Sequence, residues 1–267
     1  MEKKGIVFSA IIPCSKKDSE SQNLKDLIAS IKSQDFPQDK IEILVITQGD
    51  SEQAKAIGIA KAKGEICAMF CADNMIVSPD LFKLVKKGFN EDQSLVAIYT
   101  SHYFHKRNDN SLNRYFALLG ANDPVPFYLG KADRSSYLKE IDNQKNPEHN
   151  EIDLVPSYGD NGFFYLRELL LKSDLDHYYP MDNAVDLINQ GYDTFGRMRN
   201  NFIWHRTTNG NLTEFLKRRY RYARNLYCDR QDRRWKMFDG RQDYWRLAGF
   251  VFSTISIIPC IAISIRG

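Results

Sequence analysis

The sequence predicts an α/β fold built on a mixed, mostly parallel sheet flanked by helices. Three observations carry this expectation. Short β-rich runs alternate with helical patterns through the first half, turn residues punctuate each change, and chemistry-bearing side chains recur just beyond the apolar runs. Ile6–Ile12 reads as the first strand. Asn23–Ser33 places Leu24, Leu27, Ile28 and Ile31 at helical spacing, with Asn23 as the expected cap and Pro37 ending the connection. Ile41–Thr47 is the second strand, Ser51–Ala62 an Ala- and Lys-rich helix closed by Gly64, and Glu65–Phe70 the third strand. After a turn at Asp73-Asn74, Pro79 opens a helix to Phe89, and Leu95–Ser101 is the fourth strand.

From residue 102 to 157 the pattern weakens into polar stretches, Lys106–Asn113 and Asp142–Asn150 among them, that read as surface loops or an insertion. Regularity returns at Gly159–Leu166, a strand followed by a short helix. A helix near Asn183–Gln190 closed by Gly191 follows, then a strand-like run over Asp193–Trp204 and a long basic, aromatic helix over Leu212–Tyr227.

With 267 residues, 43% of them hydrophobic and 27% charged, the chain can bury a full core, which excludes disorder as its main state. The 37 Lys and Arg against 34 Asp and Glu leave a net charge of only +3, so nothing global points to nucleic acid, and no nucleic-acid partner is expected. Charge is instead concentrated locally. From Lys217 to Arg246 there are 11 basic and 4 acidic residues, and the uncharged run Leu247–Ile265 follows directly. A spanning helix needs about 20 apolar residues. That run is therefore read as membrane-inserted, with a buried core helix or a re-entrant segment as the alternatives. Flanking basic residues favour a cytoplasmic position for the preceding domain, and Trp235, Tyr244 and Trp245 suit a membrane interface. The five cysteines form no CxxC pair, in keeping with a reducing compartment. The expected divisions are 1–211 for a catalytic domain, 212–246 for a basic interfacial region and 247–267 for the apolar segment.

The strand ends carry the chemistry. They read Ile12-Pro13-Cys14-Ser15, Thr47-Gln48-Gly49-Asp50 and Phe70-Cys71-Ala72-Asp73-Asn74, and in an open α/β sheet such tips converge on one ligand site. Together with Ala54-Lys55-Ala56-Ile57-Gly58, Ser78-Pro79-Asp80, Gly159-Asp160-Asn161-Gly162, Gly191-Tyr192, His205 and Arg218-Arg219-Tyr220-Arg221-Tyr222, this series resembles the family-2 glycosyltransferases, which have the GT-A fold, from Ile6 to Arg224.

The resemblance implies an inverting transfer of a sugar from a nucleotide-diphosphate sugar to a lipid-linked or glycan acceptor at the cytoplasmic face of a cell membrane. It implies a divalent cation, Mn²⁺ or Mg²⁺, which suits oxygen ligands and a leaving diphosphate. Asp73 matches the second Asp of the family's Asp-x-Asp motif, whereas Cys71 stands where the first would be. His205 matches a His that completes the metal site in some relatives. Its alternative is a packed core histidine, as a turn-forming role is for Asp73. Pro13, Cys14, Ser15, Gln48, Lys55 and Asn74 are the expected donor contacts, with Gln48 able to pair with a base edge through its amide. Lys55 would meet the diphosphate, or else lie solvated on its helix. Asp182 is the expected catalytic base or the cap of its helix, and Asp160 is the competing carboxylate. Gly159, Asn161, Arg218, Arg221 and Tyr222 are expected at the acceptor or at a phosphate, since guanidinium groups bind phosphate bidentately. A catalytically inactive relative that binds a sugar nucleotide or glycan is the alternative reading, favoured by the replaced acids. A sugar-phosphate nucleotidyltransferase is excluded by the lack of glycine in Pro13–Asp18.

Overall fold

The structure is a computed structural model describing residues 5–100, 103–119, 138–140, 161–198, 202–208, 210–228, 233 and 243–255. The main sheet has seven strands in the order β2-β1-β3-β8-β5-β9-β7, where β1 is Phe8–Pro13, β2 Ile41–Ile46, β3 Ile66–Met69, β5 Leu95–Thr100, β7 Leu138–Glu140, β8 Phe163–Leu166 and β9 Thr194–Met198. Every pairing is parallel except the two made by β8, which runs antiparallel to both β3 and β5. A second sheet of three short strands has the order β4-β10-β6, with β4 Asn74–Ile76, β6 Tyr103–Phe104 and β10 Ile203–His205.

Side chains of β1 and β3 alternate between two apolar layers, as period-2 geometry requires. Phe8, Ala10, Ile12, Ile66, Ala68 and Phe70 face one layer with α1 (Gln22–Lys32) and α3 (Leu81–Glu91). Ile11, Cys67 and Met69 face the other, with α2 (Ser51–Lys61) and the pair α5 (Arg167–Leu170) and α6 (Pro180–Asn189). Phe82 of α3 anchors the first layer, its ring centroid 4.7 Å from Phe8 and 5.8 Å from Phe164. Gly64 is needed where the chain enters β3, because a Cβ there would stand 2.7 Å from the Phe8 carbonyl carbon and the Ser9 nitrogen.

Several sequence expectations are corrected here. The cap of α1 is Ser21, whose hydroxyl accepts from the Leu24 amide, and not Asn23. Asn74 both completes the turn, its amide donating to the Cys71 carbonyl at 2.9 Å, and opens a strand. The stretch read as one strand over Asp193–Trp204 is two strands in different sheets, and the polar stretch Lys106–Asn113 runs into helix α4 (Ser111–Leu119). The basic helix is α7, Leu212–Cys228, and Tyr244–Ile255 forms α8. Among the described residues no helix is long and apolar enough to cross a membrane, and the rest of the apolar run, 256–265, lies outside them.

Strand polarity decides where a site can form. Because β1, β2, β3, β5 and β9 all run one way, their carboxyl ends share one edge of the sheet. The reversed β8 brings its entry, not its exit, to that edge, with Phe163 opposite Met69. Asn161 and Gly162 therefore arrive beside the exit of β3.

Candidate functional site

Asp73 follows β3 by four residues, and the antiparallel pairing of β4 with β10 sets His205 opposite Asn74. That register places His205 Nε2 3.2 Å from Asp73 Oδ1, and the Arg206 amide donates to the Asp73 carbonyl at 3.0 Å. His205 is buried and Asp73 is partly exposed, so the pair presents the carboxylate toward solvent. Burial raises the pKa of the Asp73 carboxyl, yet the charge and hydrogen bond of His205, reinforced by the charge of Arg218, outweigh it and hold the carboxyl below its usual range. Arg218 belongs to α7, and its NH1 donates to the Thr207 carbonyl at 2.8 Å. Sequence elements more than a hundred residues apart thus meet at one acidic point.

Behind the pair, Asn74 and Asn161 are buried. Asn74 Nδ2 donates to Asn161 Oδ1 at 3.0 Å, and Asn74 Oδ1 accepts from the Cys71 amide at 3.0 Å. Asn161 Nδ2 donates to the Tyr103 hydroxyl at 3.1 Å. Asn161 therefore faces inward as a support, and not outward as an acceptor contact. Asp160, the competing catalytic carboxylate, and Gly159, expected at the acceptor, lie outside the described residues.

The tips of β1 and β2 are joined by the Cys14 amide, which donates to the Ile46 carbonyl at 2.9 Å. Pro13 and Cys14 are half-buried and Ser15 is exposed, its hydroxyl donating to Asp18 at 2.7 Å. Burial, aided by the Asp18 charge, pushes the Cys14 thiol up, so it is a poor nucleophile. Gln48 is exposed at the same edge. Asp50 beside it is spoken for as the cap of α2, accepting from the Glu52 and Gln53 amides at 2.9 Å each. Lys55 is not solvated: only 2% of it is exposed, and its Nζ lies 2.8 Å from Glu52 Oε2.

Asp182 does not cap α6; Tyr179 holds that position. Instead Asp182 is fully buried at the third helical residue and gripped by Arg233, whose Nε lies 3.0 Å from both carboxylate oxygens and whose NH2 lies 2.8 Å from Oδ1. The Arg233 guanidinium also sits 4.4 Å over the Tyr179 ring. In this arrangement Asp182 is not open to an acceptor hydroxyl. Nothing in the residue pattern singles out the pair, since Arg233 is one of many basic residues in its run. Tyr103 and Arg233 are the two site neighbours that sequence reasoning missed. On α7, Arg221 is exposed beside Leu216, Lys217, Tyr220 and Arg224, which line a groove of about 550 Å³. Tyr222 lies on the same helix.

No family model matches the chain, and no curated protein matches it by sequence. Among solved structures, the mannosyltransferase PcManGT from Pyrobaculum calidifontis, in complex with GDP-Man and Mn²⁺, is 14% identical with a TM-score of 0.48, covering 79% of this chain and 60% of that one. Glucosyl-3-phosphoglycerate synthase from Mycobacterium tuberculosis, in complex with Mn²⁺ and UDP-glucose, is 13% identical with a TM-score of 0.46, covering 84% and 79%. TarS 1-349 from S. aureus is 13% identical with a TM-score of 0.39, covering 72% and 58%. This chain therefore spans about three fifths of the length of the first and third. What those proteins bind is theirs, and the functional reading of this chain rests on its own residues.

Removing Arg233 strands a buried carboxylate. Arg233→Ala is expected to lower stability by about 3–5 kcal/mol, the usual consequence of breaking one side of a buried ion pair, and urea denaturation followed by circular dichroism measures it.

Proposed function

We propose that the chain is a nucleotide-sugar glycosyltransferase of GT-A type whose reactive centre is the Asp73–His205 pair. The observation that supports it most directly is the position of that pair: a carboxylate and an imidazole 3.2 Å apart, at the edge where the parallel strands exit, the tips of β1 and β2 among them. The donor set is a hard oxygen with a nitrogen, and among the described residues no cluster of three or more metal-ligating side chains occurs. Two protein ligands suit Mn²⁺ or Mg²⁺ that takes its other positions from diphosphate oxygens and water. When bound, the cation would neutralise the leaving diphosphate as a Lewis acid. Asp73 and His205 would hold it.

The remaining residues divide the work. Pro13, Cys14, Ser15 and Gln48 offer the surface for base and ribose, and Arg218 brings positive charge next to Asp73 on the phosphate side. Inverting transfer needs a carboxylate within hydrogen-bond reach of the acceptor hydroxyl. Asp182 can serve only after Arg233 has left it. Asp160, the residue before Asn161 in the sequence, is the other candidate carboxylate. Asp160→Asn and Asp182→Asn, compared in one assay, identify the base as the variant that stops turnover while keeping donor binding.

The membrane reading rests on α7 and α8. Leu212, Leu216 and Tyr220 are exposed along α7 beside Lys217, Arg221 and Arg224, and Tyr244, Trp245, Val251 and Phe252 are exposed on α8. Such a face suits an anionic bilayer, where each basic residue near the surface contributes about 1 kcal/mol. A lipid-linked acceptor would be met there, on the cytoplasmic side. The protein is expected to co-sediment with phosphatidylserine vesicles at low salt and to be released as salt rises; indifference to salt contradicts the electrostatic part.

An inactive binder of sugar nucleotides is the second reading, favoured by Cys71 at the first motif position and by the Arg233 grip on Asp182. Release of nucleoside diphosphate from a panel of UDP-, GDP- and dTDP-sugars separates the two. The proposal expects metal-dependent release from one donor, lowered roughly 10²-fold or more in Asp73→Ala. No release from any donor, with lipid extract as acceptor, selects the inactive binder.

A further inference from the structure

Five residues from four places in the chain form a closed ring. His205 Nε2 contacts Asp73 Oδ1 at 3.2 Å, and Asn74 Nδ2 approaches that same oxygen at 3.5 Å. Asn74 bonds Asn161 at 3.0 Å, Asn161 bonds the Tyr103 hydroxyl at 3.1 Å, and the Tyr103 ring stands edge-on to His205 with centroids 5.0 Å apart at 74°. Tyr103, Asn74, Asn161 and His205 are each at most 6% exposed, so the ring is shielded from water on every side but that of Asp73. It also bridges the two sheets, since Asn161 enters β8 while Asn74, Tyr103 and His205 sit on β4, β6 and β10.

The main chain fixes this closure. Gly162 has φ +75°, and a Cβ there would stand 2.7 Å from Ile203 Cγ1, so only glycine lets the turn carrying Asn161 come this close to β10. The Thr100 amide bonds the Gly162 carbonyl at 3.4 Å, tying the same turn to β5.

We propose that Tyr103 is a positioning residue for the Asp73–His205 pair, acting through Asn161 and Asn74 on the carboxylate and through its ring on the imidazole. Groups that orient metal ligands from behind change metal affinity 10–100-fold when removed. The proposal rests on the metal-binding reading of the pair, and its test separates the two. Mn²⁺ binding is measured by the electron paramagnetic resonance signal of free Mn²⁺, on the full chain with a nucleoside diphosphate present and no acceptor, against the same mixture without protein. Tyr103→Phe keeps the ring and removes the hydroxyl, Asn161→Ala removes the relay, and Val85→Ala, a core truncation on α3, controls for lost stability.

The expected result is that Tyr103→Phe and Asn161→Ala each raise the Mn²⁺ dissociation constant about 10-fold or more, while Val85→Ala at a similar melting temperature leaves it within twofold. Wild-type binding lost in Asp73→Ala but unchanged in both ring variants overturns the positioning role and leaves the metal reading standing. Wild-type protein that binds no Mn²⁺ overturns both. Weakening of equal size in Val85→Ala also overturns the positioning role, because general stability would then explain it. Should Tyr103→Phe fail to fold, Asn161→Ala decides alone.

Discussion

Where the three-stranded sheet meets the seven-stranded one, Ile76 and Ile203 join the apolar core and a polar cluster lies beside them, and burial dictates how that cluster must be made. Asn74, Asn161, Tyr103 and His205 are all removed from water there. A buried donor or acceptor left without a partner costs about 1–3 kcal/mol, so these groups must bond one another with little choice of geometry. The consequence is directional. Only Asp73, the one member of the ring with substantial exposure, has an outward face, and the ring aims that face at the edge where the strand exits gather.

The apolar layers serve this junction. Packing of Phe8, Phe70, Phe82 and Phe164 fixes β1, β3 and β8 relative to one another. Because β8 is antiparallel to its neighbours, its entry turn and the exit of β3 are fixed together. Reversal of that one strand turns Asn161 into a neighbour of Asn74. A second polar anchor, the Asp182–Arg233 pair, ties Arg233 to the start of α6. Replacing buried ion pairs with apolar groups is often neutral or stabilising, so its presence here is weak evidence for stability. It is better evidence that Arg233 has one docked position.

Much of the fold was legible in the sequence. The first three strands and helices are found within a few residues of their expected limits, because short continuous apolar runs mark buried strands and a one-sided apolar stripe marks the helices that cover them. The second sheet was not legible. Its strands are two or three residues long, too short for periodicity, and they pair across more than a hundred residues. At the site, Asp73 and His205 stood out by residue type and by their resemblance to a family motif, and their contact was not deducible without the β4–β10 register. Tyr103 gave no cue, since an aromatic after a strand is ordinary core until its hydroxyl is seen bonding Asn161. Asp182 stood out as a base or a helix cap, whereas it lies buried against Arg233, which comes from a run whose charge looked like a solvated or membrane-facing surface.

The central claim is that Asp73 and His205 form the point at which a cation and a nucleoside diphosphate meet. A crystal structure of the protein soaked with Mn²⁺ and a nucleoside diphosphate, with the cation located by anomalous scattering, tests it most directly. The account predicts an anomalous peak in bonding contact with Asp73 Oδ1 or Oδ2 and His205 Nε2, with diphosphate oxygens completing the shell and the base over the tips of β1 and β2. A nucleotide bound away from that edge, or Mn²⁺ held by residues other than Asp73, would contradict it.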